Sequence, residues 1–226
     1  MSWVRFPDGL RQEPVAKGSP EALVVLLPDI GTSAATLAPI AARWAPAVPT
    51  TAFIALEGLE ALDGASGDPL DAATEAAALD RSTRNLEPRL EQQLRFYRLD
   101  ASRLVLVGFG YGGTLALHMM LHQGWSCAGV LAFTAKLIRP LPRLLRIGGK
   151  VRLIESAAPG PVAHISLRDV VTLLTTRGID TRGVLLGGSA LSNEVVRHGG
   201  AYLVELVATA QRGDHLHINR ESSHAL

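Results

Sequence analysis

Six short apolar runs recur along the chain: Ala22–Leu27, Thr51–Leu56, Arg103–Val107, Ala128–Phe133, Lys150–Ile154 and Arg182–Leu186. Most lack the apolar/polar alternation of a half-exposed strand. Continuous apolar runs of this length, bounded by turn residues, predict parallel strands buried on both faces. Helical patterns fill the gaps. The clearest places Leu79, Thr83, Leu86, Leu90, Leu94 and Tyr97 on one face, with Arg81, Arg84, Glu87, Arg89, Glu91 and Arg95 mostly elsewhere. Further helices are predicted over Leu37–Trp44, Gly113–His122, Ser166–Thr176 and Asn193–Ala210, although Gly199-Gly200 weakens the middle of the last. Alternating strands and helices imply an α/β protein with a doubly wound parallel sheet and right-handed crossovers. The expected organisation is a single domain over residues 1–210, followed by a polar, aperiodic tail at 211–226. Glu57–Ala72, rich in Gly, Asp and Ala, reads as a surface loop.

Composition agrees with a sheet covered on both sides. The 226 residues are 47% hydrophobic and 19% charged, and mean hydropathy is +0.20. One domain of this length can bury a full core. The net charge of +1 gives no field that favours nucleic acid or an anionic membrane. No apolar run approaches the about 18 residues of a membrane span. Met1–Asp8 has no apolar leader, so a cytoplasmic protein is expected. The lone Cys127 allows neither an internal disulfide nor a cysteine metal cluster, and it opens an apolar strand, where a thiol acts as a small hydrophobe. No cofactor or metal is expected.

Candidate chemistry begins where Leu104-Val105-Leu106-Val107 runs into Gly108-Phe109-Gly110-Tyr111-Gly112-Gly113 ahead of a helix. The pattern G-x-S-x-G places a serine on a sharp strand-to-helix turn, its oxygen exposed above a parallel sheet. Gly108 and Gly112 keep that spacing, but the centre is Gly110, which has no side chain to attack a substrate.

With these residues the chain resembles the phospholipase/carboxylesterase family of α/β-hydrolases. The resemblance spans roughly Ala22 to Ala210. It is anchored by Leu23-Val-Val-Leu-Leu-Pro-Asp-Ile-Gly31, Phe96-Tyr-Arg-Leu-Asp100, Ser102-Arg-Leu-Val-Leu-Val-Gly-Phe-Gly-Tyr-Gly-Gly113 and Ala128-Gly-Val-Leu-Ala-Phe133. It implies a three-layer α/β/α sandwich with a mostly parallel sheet, and a Ser-His-acid triad. The family's serine falls on Gly110. Its acid, in a segment like L-x-H-G-x-x-D, falls on Pro159. Its histidine, in a G-x-G-H turn, falls on Ser189 or Ala190. The H-G-x-G turn after the first parallel strand is Pro28-Asp29-Ile30-Gly31 here. Four altered stations imply a naturally degenerate site. Losing the serine or histidine of a triad costs on the order of 10⁶ in turnover, and a carboxylate at Asp29 opposes the charge of a tetrahedral intermediate.

The implied functions are binding of a small ligand at the strand C-terminal ends or of a partner, including a second copy in a homodimer. The alternative is an unconventional carboxylic-ester hydrolase that uses Asp29 or Glu155, with His164. The backbone N–H groups of Tyr111 and Ile30 are the candidate oxyanion-hole donors, left free to hold an anion or carbonyl. Asp29 and Glu155 lie at strand ends, where open α/β sheets place ligands; the plainer role for Asp29 is to cap its own turn, near Thr32 and Ser33. His118 and His122, one turn apart, read as a helix flank without a third metal ligand. His198 stands too far along its helix to replace the family histidine. Ser189 and Ser192 lack an elbow, and His215, His217 and His224 fall in the tail. Arg139–Arg146 reads as an amphipathic surface segment, and Met119 and Met120 as core.

Overall fold

The structure is a computed structural model that describes residues 3–57, 72–142, 148–156, 166–189 and 191–212. Among these residues, eight strands form one sheet in the order β1-β2-β4-β3-β5-β6-β7-β8. The six predicted runs are its parallel part: β3 (Ala22–Leu27), β4 (Thr51–Leu56), β5 (Leu104–Phe109), β6 (Gly129–Phe133), β7 (Lys150–Ser156) and β8 (Thr181–Leu186). Every residue of β3 to β6 is buried, which is why those runs lack polar alternation. The sequence pattern misses the antiparallel hairpin β1 (Val4–Phe6) and β2 (Gly9–Gln12), which adds to the β4 edge. Three- and four-residue strands with polar members carry too little periodicity to stand out.

Among the described residues, five α-helices cover the sheet: α1 (Ala34–Trp44), α2 (Ala72–Tyr97), α3 (Tyr111–Leu121), α4 (Leu167–Thr176) and α5 (Asn193–Arg212). Alternate residues of β3 divide between two cores. Leu23, Val25 and Leu27 belong to the core that also takes in α2, α3 and α4, whereas Ala22, Val24 and Leu26 belong to the one shared with α1 and α5. All six positions of the predicted α2 face are buried. Ser166 caps α4, its hydroxyl accepting from Asp169 N–H.

Three readings meet the structure. First, the predicted helix holds: α5 runs through Gly199-Gly200 unbroken, because the glycines admit neighbouring rings: a Cβ on Gly199 would stand 2.5 Å from Phe133, and one on Gly200 2.9 Å from Trp44. Trp44 stacks on Phe133 at 6.2 Å and donates from its indole to Val196 O. Second, the helix extends past the expected tail boundary. Gln211 accepts from Arg103 through its carbonyl and donates from its side chain to Thr50 Oγ1; the remainder of the tail, with His215, His217 and His224, lies outside the described residues. Third, residues 139–142 of the arginine-rich segment are not helical, and Leu141 is buried with the neighbouring Leu137 and Ile138; residues 143–147 are not described. The expected 57–72 loop likewise falls almost wholly outside the described residues, and its last residue, Ala72, begins α2.

A charged clamp sits inside the β7–α5 layer. Arg152 has no exposed surface. It donates to Glu205 Oε1 at 2.5 Å, to Asp180 Oδ2 at 3.2 Å and to the carbonyls of Val151 and Asp180. Burying a guanidinium is tolerable only when its donors are met in this way. Among the described residues no helix is long and apolar enough to cross a membrane.

Candidate functional site

The site is built by the register of two neighbouring strands. Leu27 of β3 stands opposite Gly108 of β5. The turns that follow therefore emerge side by side at the C-terminal edge of the sheet, with Asp29 next to Gly110. The elbow glycines permit this approach: a Cβ on Gly112 would lie 2.3 Å from Leu27 O, and one on Gly108 2.3 Å from Gly112 O. Gly110 adopts φ +51° and ψ −116° as the N-cap of α3. Only glycine takes this positive-φ conformation without strain. Its N–H donates to Phe133 O at 2.8 Å, and its carbonyl accepts from Thr114 N–H, so the elbow is pinned to β6 and to its own helix.

Sequence reasoning left the N–H groups of Ile30 and Tyr111 free for a ligand. They are not free. Asp29 Oδ1 accepts from Tyr111 N at 2.8 Å and from Ile30 N at 2.9 Å. The two N–H groups expected as oxyanion-hole donors are thus met by a carboxylate of the chain itself. That carboxylate also fills the space of the missing side chain: an ideal Cβ on Gly110 would stand 2.3 Å from Asp29 Oδ2 and 2.5 Å from Oδ1. Asp29 is a cap, as expected, but of a different helix. Its side chain satisfies the first N–H of α3, 82 residues on, where a negative charge meets the positive end of the helix. Thr32 N–H turns back to the Asp29 carbonyl, and Ser33 takes the N-cap position of α1 without a side-chain bond to the helix backbone, its hydroxyl meeting Thr36 Oγ1 instead.

Glu155 lies at the end of β7, with β6 between it and the elbow strand. Burial alone pushes its carboxyl up to about 7. Among the described residues it makes no hydrogen bond or ion pair, and none joins it to Asp29. The two carboxylates thus share one edge of the sheet without forming a bonded pair. Beside Glu155, the Ser156 hydroxyl donates to Gly188 O and links the ends of β7 and β8. Ser189 follows in that turn, exposed, its carbonyl accepting from Ser192 N–H; neither serine sits on an elbow. Pro159, Ala190 and His164 lie outside the described residues.

Other candidates resolve into structure. His118 and His122 stack at 4.5 Å, and His118 is buried against α2 rather than set on an open flank. Its Nε2 lies 2.7 Å from Asp80 Oδ1, which also accepts from Gln123 Nε2. Burial, aided by the neighbouring His118, lowers the His122 pKa. Cys127 is buried and its thiol is pushed up to about 12, again by burial. Met119 and Met120 are core. Sequence reasoning missed the supports around the elbow: Tyr111 OH meets Ser82 Oγ at 2.7 Å, Lys136 N–H donates to Thr114 Oγ1, and Lys136 Nζ pairs with Glu75. A lysine just past a buried strand was the available signal.

A mostly parallel eight-stranded sheet between two helical layers, with a strand-to-helix elbow after its central strand, defines an α/β-hydrolase fold. The chain belongs to the phospholipase/carboxylesterase family, whose model matches residues 14–142, more than half of its length. The matched span contains the Asp29 and Gly110 stations and ends before the segments of Pro159 and Ser189. The solved structures agree on the fold. The esterase PE8 is 24% identical, with 88% of this chain and 98% of that one covered and a TM-score of 0.76. A carboxylesterase from Bacillus cereus is 14% identical over 87% and 92%, with a TM-score of 0.70. One from Mesorhizobium loti is 17% identical over 89% and 98%, with a TM-score of 0.69. At these identities the likeness concerns the fold. No curated protein matches the chain significantly.

Proposed function

We propose that this member of the family has lost serine-type acyl transfer and acts by binding a ligand or partner at the C-terminal edge of its sheet. The observation that carries this is the position of Asp29. A serine esterase needs a hydroxyl at the elbow and an empty pair of N–H donors for the developing oxyanion. Here glycine stands at the elbow, and a carboxylate holds both donors. A substrate carbonyl oxygen arriving there would compete with an internal anion, and any negative charge it developed would be opposed by that anion. The absence of a histidine or acid at the family positions supports the same conclusion. Glu155, partly buried and without a bonded partner among the described residues, is the second polar group offered to a ligand at this edge.

The test is hydrolysis of a short-chain p-nitrophenyl ester panel by purified protein, with fluorophosphonate labelling and the Asp29→Asn variant alongside. The expected result is no turnover above buffer and no fluorophosphonate label. Turnover near that of triad enzymes would overturn the proposal. Turnover lost in Asp29→Asn would instead identify a carboxylate-based ester hydrolase.

A further inference from the structure

We propose that β8 is a pairing edge for a second copy of this chain, with the two β8 strands antiparallel about a two-fold axis at Val184. β8 closes one end of the sheet, and among the described residues it pairs with β7 alone. The two ends of the sheet differ. β1, at the far end, has three residues and carries Arg5, which reaches Glu57; short, charged edges discourage pairing. β8 has six residues, no proline and one charge, and its Leu185 is 63% exposed.

The parallel ladder fixes which backbone groups are left over. Val151, which stands opposite Thr181, donates to Asp180 O. In a parallel pair a residue bonds to the two that flank its opposite number, so Asp180, Arg182, Val184 and Leu186 turn to β7. Thr181, Gly183 and Leu185 turn their N–H and C=O groups outward. Side chains alternate in the same step. Arg182 lies on the α5 side, 3.7 Å from Glu205, whereas Gly183 lies against Leu167 and Val171 of α4, and Leu185 shares that face. An exposed leucine thus stands two positions from an exposed glycine.

A strand with a projection and a gap two positions apart is its own complement when turned about the residue between them. Antiparallel pairing about Val184 sets Gly183 opposite Leu185 of the second copy, twice. Both residues face outward, so they form the hydrogen-bonded pairs. Each leucine covers the place where the other strand has no side chain, beside Leu167 and Val171. Charge agrees with this register. Arg182 comes opposite Leu186 of the second copy, at the strand end after which α5 begins with the exposed Glu194. The two Arg182 residues stand about 13 Å apart along the strands, beyond a Debye length of about 8 Å.

This goes beyond ligand binding at the elbow and stands whether or not that site binds anything. The test is sedimentation velocity of the full chain across the micromolar range. A species of twice 24.0 kDa is expected. Leu185→Pro removes an outward N–H and the leucine from both copies but no bond to β7. It should weaken the dimer about thirtyfold or more, as two lost hydrogen bonds alone give, and leave the monomer folded. Leu185→Lys should act in the same direction with the backbone donor kept. Val184→Cys should link two chains on mild oxidation, since a non-hydrogen-bonded pair places its Cα atoms about 4.5 Å apart. Arg182→Cys should not, at about 13 Å. Cys127 is buried and takes no part. A monomer at all concentrations, a dimer unmoved by both Leu185 variants, no cross-link at Val184→Cys, or one formed as readily at Arg182→Cys would overturn the proposal. Ester hydrolysis enters none of these readouts, so the two proposals fail separately.

Discussion

Gly110 and Asp29 share one volume, and that sets what either can become. Restoring the serine alone places a Cβ 2.3 Å from the Asp29 carboxylate at φ +51°. Gly110→Ser is expected to cost about 1–3 kcal/mol, from overlap and backbone strain, and to restore no esterase activity. Adding Asp29→Ala should recover part of that loss by clearing the overlap. Thermal melts and p-nitrophenyl acetate turnover of the three proteins check both statements; full activity from the single change would show a working histidine and acid elsewhere. Glu155 gives a second test at this scale. Its folded pKa of about 7 lies above the ordinary 4.5, so the folded state holds its proton longer than the unfolded state. Stability therefore falls as pH rises between those values and stays lower above them. Glu155→Gln should stabilise the protein at pH 8 by on the order of 1 kcal/mol, after allowance for solvent screening, and have little effect at pH 4. Urea unfolding at the two pH values measures it.

At the scale of elements, α5 sets helix propensity against packing. Gly199 in a helix interior is about 1 kcal/mol worse than alanine by propensity. A methyl group there would nevertheless stand 2.5 Å from the Phe133 ring, and overpacking costs about 1–3 kcal/mol. Gly199→Ala is therefore expected to destabilise, with packing outweighing propensity; a higher melting temperature would show that Phe133 can move aside. The same contact explains why the glycine pair weakens the sequence pattern without breaking the helix. The α2 face was legible because six positions repeat at helical spacing, whereas the β1–β2 hairpin was hidden because its seven strand residues carry no repeat.

Across the whole molecule, the Arg152 clamp joins β7, the turn before β8 and α5. Its guanidinium is fully buried, so removing a partner leaves charge without compensation. Glu205→Ala is expected to cost about 2–3 kcal/mol, somewhat less than a wholly buried pair because Asp180 and two carbonyls remain. Replacement of Arg152 by Met should cost less than this or be neutral. The hydrogen bond from Arg152 lowers the pKa of Glu205; at Asp180, burial raises the carboxyl, but the bond and charge of Arg152 outweigh it. Both carboxylates therefore contribute stability that is present above their unfolded values near 4 and is lost as pH falls through the lower folded values. Acid titration followed by circular dichroism should show wild type losing stability below about pH 4 more steeply than Arg152→Met; equal slopes would remove the clamp from the acid response.

The sequence by itself determined the alternation of strands and helices, the central elbow and the glycine at its centre. Those features are local: burial on both faces writes a continuous apolar run, a helix face repeats at fixed spacing, and a glycine in a motif is visible as a glycine. What fills the site was decided only by the tertiary structure. Asp29 and Tyr111 are 82 residues apart, and the register of β3 on β5 turns one residue's carboxylate into the occupant of another segment's N–H. Arg152 passed unremarked within the apolar run Lys150–Ile154, and only the packing of α5 on the sheet gave it Glu205. The chemistry in each case depends on a distance between segments, and no pattern along the chain encodes that distance.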